Sequence, residues 1–232
     1  MDMNVAKNKT INLLLSNKNP NAKFYADTFY KYKRFGIEIV PISPLFMGNV
    51  DEKNIIITEE VFEKLLKIRN ITRQTNLEIS YFILGEEKND GTILLDKVIS
   101  NCSSKNIIDL NIINQCLNKY AETIDVDSKQ IICCGHTHGT GFFSDNFSFG
   151  DLISLVKIFN EYNLSYNGEV EIISMIMPPC GDYNFIMYNN NPQAEGFYKF
   201  PNVYLKHNDS TIDILPSYVS QNYVKEVNLQ KK

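Results

Sequence analysis

Residues 131–138 read Ile131-Ile132-Cys133-Cys134-Gly135-His136-Thr137-His138. Four apolar residues followed by a short polar end have the pattern of a β-strand. On a strand, side chains at i and i+2 project to the same face, so His136 and His138 converge. The chain has only three histidines, and two of them stand here. Convergent imidazoles suit a metal ion held about 2.0–2.1 Å from each nitrogen. A pair of surface or hydrogen-bonded histidines is the plainer alternative. Cys134 shares the strand face of His136, but a fourth soft ligand would close the site to water, so it is read as a buried thiol. His207 lies in the polar, turn-like Lys206-His207-Asn208-Asp209 and is read as a surface residue.

Downstream, a Gly/Phe-rich loop leads to Ser148-Phe149-Gly150-Asp151, which opens an amphipathic helix through Leu152, Ile153, Leu155, Val156, Ile158 and Phe159. Ser148 and Asp151 have the spacing of a reciprocal helix cap. Next to the histidine pair, the same first turn can also bring Asp151 in as a third ligand. Two histidines, one aspartate and an open position make a catalytic type of zinc site. Such a site needs a base for water, and upstream the candidate is Glu78, the only charged residue in the otherwise apolar 77–84, which reads as a buried strand. Asp145, Glu86 and Glu87 are rivals set in loops.

The remaining pattern alternates strands and helices. Ile55–Ile57 reads as a strand, and Thr58 caps a helix running to about Asn70, with Glu59 and Glu60 in its first turn. Turn chemistry at Asp90-Gly91 precedes a strand over 92–100, and a helix is expected across 108–123. Strands at 170–177 and 183–188 form a hairpin around residues 178–182, short strands follow over 191–216, and the tail to Lys232 is polar. Near the N-terminus, Ile37–Val40 is strand-like, and Phe24, Tyr25, Phe29, Tyr30 and Tyr32 are read as packing on the domain.

Composition bounds the function. Net charge is −4, from 23 Lys+Arg against 27 Asp+Glu, which argues against a grip on phosphate backbone. No apolar run approaches the roughly 18 residues of a membrane span. Asn12 interrupts Ile11–Leu15 behind Lys7 and Lys9, so no signal peptide is expected. Five cysteines without a framework spacing fit a reducing, cytoplasmic setting.

Glu78, His136-Thr137-His138 and Ser148-Phe149-Gly150-Asp151 together resemble the signature of the JAMM/MPN+ metalloprotease family. The helix over 58–70 and Gly85, seven residues after Glu78, match as well, and the resemblance covers about residues 54–190. It implies an α/β, cytidine-deaminase-like fold of MPN/JAB type: a mixed, largely antiparallel sheet flanked by helices, with extensions at 1–53 and 191–232. It implies one Zn²⁺ on His136, His138 and Asp151, Glu78 polarising the attacking water, and the Ser148 hydroxyl stabilising the oxyanion. The implied activity is a peptidase or isopeptidase cutting an amide at the C-terminal tail of a ubiquitin-like or sulfur-carrier-like protein. Three positions depart from the family: Gly139 stands where proline is usual, Tyr81 where glycine is frequent, and the nine residues 139–147 are two more than usual. A silent MPN-type scaffold that only docks partners is the alternative. A related DNA-repair branch fits the acidic balance poorly. A dinuclear phosphoesterase would need histidines before His136, and there are none.

Overall fold

The computed structural model describes residues 1–16, 19, 22–23, 25–27, 48–50, 53–100, 110–124, 127–139, 147–165, 170–179 and 183–215. The strand expected at Ile37–Val40, most of the aromatic stretch, the turn at 180–182 and the tail beyond 215 lie outside these residues. Among the described residues no helix is long and apolar enough to cross a membrane.

The chain forms an α/β fold. In order, its elements are α1 (Met3–Leu14), β1 (Gly48–Asn49), β2 (Ile55–Thr58), α2 (Glu59–Thr75), β3 (Ser80–Glu87), β4 (Ile93–Ser100), α3 (Leu110–Ala121), β5 (Lys129–Thr137), α4 (Phe149–Ser165), β6 (Val170–Met177), β7 (Asn184–Asn189), β8 (Gly196–Lys199), β9 (Val203–Lys206) and β10 (Ile212–Ile214). The strands form one sheet in the order β1-β8-β7-β6-β5-β3-β4-β2-β9-β10. Five of the described pairings are antiparallel and four parallel, so the sheet is more evenly mixed than the largely antiparallel expectation. Helix α4 is the reason β5 and β6 run parallel, because a parallel neighbour needs a crossover connection.

Strands β8 and β9 stand seven strand spacings apart in that order, roughly 34 Å on a flat sheet. Only residues 200–202 join them, a link that reaches about 14 Å at most. The sheet must therefore curl until its two ends approach. What it curls around is α2: Val61, Phe62 and Leu65 share one buried cluster with Ile57 of β2, Ile173 of β6, Phe185 of β7 and Leu205 of β9. A second cluster covers the other face, where α4 contributes Leu152 and Val156, α3 Leu117 and α1 Ala6, Leu13 and Leu14.

Local chemistry sets the helix ends. Thr58 accepts from the Val61 N–H at 3.4 Å, with Glu59 and Glu60 in the first turn of α2. The helix runs to Thr75, past the expected end near Asn70, and stops where Asn76 adopts a left-handed φ of 54° and donates to the Thr72 carbonyl. Leu77 and Glu78 are then exposed, and β3 begins only at Ser80, so Glu78 precedes the strand.

An ion-pair group lies where β5 and β6 begin. Lys53 lies 2.8 Å from Glu87 and 3.1 Å from Glu171, and Lys129 lies 3.2 Å from Glu171. Burial alone would raise the Glu171 carboxyl, but the two lysines outweigh it and hold it low. Burial raises Glu87, and the neighbouring Glu171 adds to that.

Candidate metal centre

Strand β5 sits between β3 and β6, so its far end is braced on both sides. His136 pairs with Ser80 and Ile176 in register, and the His138 N–H donates to the Met177 carbonyl at 3.0 Å, which carries the ladder one residue past the strand. Gly135 is glycine for a steric reason. The ring of Tyr81, its register partner, crosses it so closely that an added Cβ would lie 2.1 Å from a ring carbon. Tyr81 and Gly135 thus form one packing unit. Gly139 lies against Asn76, where a Cβ would come 2.7 Å from the side-chain oxygen.

The two imidazoles meet as alternation requires. His136 Nε2 and His138 Nε2 are 2.9 Å apart, and Asp151 brings Oδ1 to 3.3 Å from His136 Nε2 and Oδ2 to 3.7 Å from His138 Nε2. Ligand atoms on one tetrahedral zinc lie about 3.3 Å apart. With one oxygen of Asp151 as the ligand, the three ligand atoms all lie within 4.8 Å of one another, close enough for the donor set to take up a single small divalent ion. His136, His138 and Asp151 are a three-ligand group that can hold a metal.

Asp151 also does what its spacing from Ser148 suggests. Its Oδ2 accepts the Ser148 N–H at 2.6 Å, and its own N–H donates to Ser148 Oγ at 3.2 Å. The cap and the ligand position coexist, because a carboxylate has two oxygens and Oδ1 remains on the histidine side. Burial would raise this carboxyl. Hydrogen bonds from both imidazoles, the charge of His136 and the Ser148 N–H overcome burial and hold it far below the usual carboxylate range.

Glu78 lines the same cavity as His136 and Asp151. It is exposed and unladdered, not a carboxylate trapped in a buried strand as its neighbours in sequence suggest. Its rivals fare worse. Glu86 and Glu87 pair with Gln130 and Lys129 at the start of β5, roughly 20 Å along the strand from His136, and Asp145 lies outside the described residues. His207 sits on the β9–β10 hairpin, 3.2 Å from Asp213 and four strands from β5. Cys134 lines the cavity but is not one of the three converging ligand groups, and burial pushes its thiol up to about 12.

One feature of the centre escaped the sequence reading. The Thr137 hydroxyl lies 2.6 Å from that of Thr72 and accepts the Ile79 N–H at 2.8 Å, while the Thr137 N–H donates to the Ile79 carbonyl at 3.0 Å. The residue between the two histidines therefore clasps the residue after Glu78. Strand alternation, which sends Thr137 to the face opposite the histidines, was the signal available for it.

Searches with the chain match no protein-family model and no curated protein.

Proposed function

We propose that the protein is a zinc-dependent hydrolase of amide bonds, a peptidase or isopeptidase acting at the C-terminal tail of a ubiquitin-like or sulfur-carrier-like protein. The observation that carries this reading is the convergence of His136 Nε2, His138 Nε2 and the Asp151 carboxylate within 2.9–3.7 Å, beside a cavity lined by His136, Asp151 and Glu78. Bound to these ligands, zinc supplies a Lewis acid that lowers the pKa of water and polarises an amide carbonyl.

The side chains divide the rest of the chemistry. Glu78, exposed at the cavity, takes a proton from the attacking water and returns it to the departing amine. Ser148 Oγ accepts the Asp151 N–H, which leaves its own hydroxyl proton free to donate to the carbonyl oxygen as negative charge develops there. The Thr137 clasp holds the segment after Glu78 against β5. The five motif positions Glu78, His136, His138, Ser148 and Asp151 support the JAMM/MPN+ resemblance, and the tail-like substrate is taken from it. The proposal extends to a cytoplasmic setting, supported by Cys116, Cys133 and Cys134 as free thiols.

Metal analysis of gently purified protein should find about one zinc per chain, and a value near zero would leave only a docking platform. Glu78→Gln should retain the metal and lose about 10²–10⁴-fold in kcat on a ubiquitin-like fusion substrate. A fully active variant would remove Glu78 from the role.

A further inference from the structure

Strand β6 ends in two residues that cannot donate. Pro178 and Pro179 follow Met177, both are buried, and neither carries a backbone N–H. Whatever fixes the backbone beyond Met177 must therefore grip its carbonyls. The Met177 carbonyl accepts the His138 N–H at 3.0 Å, and the Pro178 carbonyl accepts from Arg69 Nε at 2.7 Å. The amide of a proposed ligand and a side chain of α2 thus hold adjacent peptide groups.

Arg69 is a costly way to make such a contact. It is 4% exposed, so its guanidinium has given up its water. The planar fork is used at two points. Besides Nε on Pro178, Nη1 donates to the Tyr183 hydroxyl at 3.3 Å, and the guanidinium carbon lies 4.9 Å from the centroid of the Tyr183 ring. Pro178 follows β6 and Tyr183 precedes β7, so one side chain ties the two strand ends together. Three residues along the same helix face, the Thr72 hydroxyl lies 2.6 Å from that of Thr137. Helix α2 therefore holds both the residue before His138 and the backbone on which the His138 amide rests.

We propose that Arg69 is a positioning residue for the metal centre: by holding the Met177–Pro178 backbone it fixes the His138 amide and, through it, the place of the His138 imidazole. The inference rests on the metal-binding reading of His136, His138 and Asp151, and it gives Arg69 no contact with substrate. Lysine would keep the charge, but a point charge on a flexible stem does not span the carbonyl and the phenol together.

The test compares Arg69→Lys and Arg69→Met with Ile57→Ala, a cavity in the buried cluster on β2, three strands from β5. In metal-free protein, deuterium exchange of the His138 amide is read relative to that of Ile132 in the middle of β5. That ratio should rise about tenfold in both Arg69 variants and stay within about twofold in Ile57→Ala. Zinc affinity, from competition with a chromophoric chelator, should fall about 10–100-fold in the Arg69 variants, and the visible bands of their cobalt-loaded forms should shift. If Arg69→Met fails to fold, Arg69→Lys decides. An unchanged exchange ratio in Arg69→Lys overturns the proposal, as do unchanged zinc affinity and cobalt bands. An equal response in Ile57→Ala overturns it too, because lost stability would then explain the effect. Failure of the unmodified protein to bind zinc or cobalt overturns the metal reading and this proposal with it, and shows before any variant is made. Full activity of Glu78→Gln overturns the hydrolase reading alone.

Discussion

Asp151 carries two duties with its two oxygens, and substitution can separate them. Asp151→Asn keeps an oxygen for the Ser148 N–H and should lose zinc with little change in stability. Asp151→Ala should lose zinc and a further ~1 kcal/mol from the uncapped helix. Zinc content and urea midpoints of the two variants check this. If both retain zinc, Asp151 is a cap and nothing more. A second prediction concerns Glu171. Its carboxyl titrates below the unfolded value, so its stabilisation is complete above that value and fades as pH falls through the folded one. Glu171→Gln should therefore cost about 2 kcal/mol at pH 7, and the gap should narrow below about pH 4, as urea melts across pH would show. At this scale the convergence of His136, His138 and Asp151 was legible, because period-two alternation and a cap spacing are local rules. The odd charge in an apolar run pointed to Glu78, which does line the cavity, but the physical reason differs. The run starts outside the sheet, with Leu77 57% exposed.

Among the elements, α2 shows where local rules stop. Its start at Thr58 followed from capping chemistry, but its last turn was hidden because the buried stripe continues through Arg69 and Thr72, two polar residues. Their burial is possible through partners distant in sequence. Arg69 donates to the Pro178 carbonyl at 2.7 Å, and Thr72 meets Thr137. No periodicity in apolar residues can announce such contacts. The Thr72–Thr137–Ile79 clasp gives a third prediction. Thr137→Val should destabilise the protein by about 1–3 kcal/mol through the unsatisfied Ile79 N–H. Zinc content should hold, while kcat falls more than KM changes, because the Glu78 segment loosens. A urea melt, metal analysis and steady-state kinetics on the same preparation read the three effects together.

For the whole molecule, the mixed α/β class was readable from alternating strand and helix patterns, and the curl of the sheet was not. It is set by pairings such as Ile55 with Val203, almost 150 residues apart, which leave no trace in local composition. Residues 191–215 also supply β8, β9 and β10 of the same sheet. A fragment ending at residue 190 should accordingly fail to unfold cooperatively in urea, whereas one ending at 215 should do so, as circular dichroism would show. The short link at residues 200–202 carries a further consequence for biosynthesis. During translation, β2 is made early yet waits for β9 to shield one of its edges. Until that late strand leaves the ribosome, the nascent chain shows an open sheet border rich in isoleucine. Its exposure to chaperones and to neighbouring polysomes is thus timed by the arrival of one four-residue strand, Val203–Lys206.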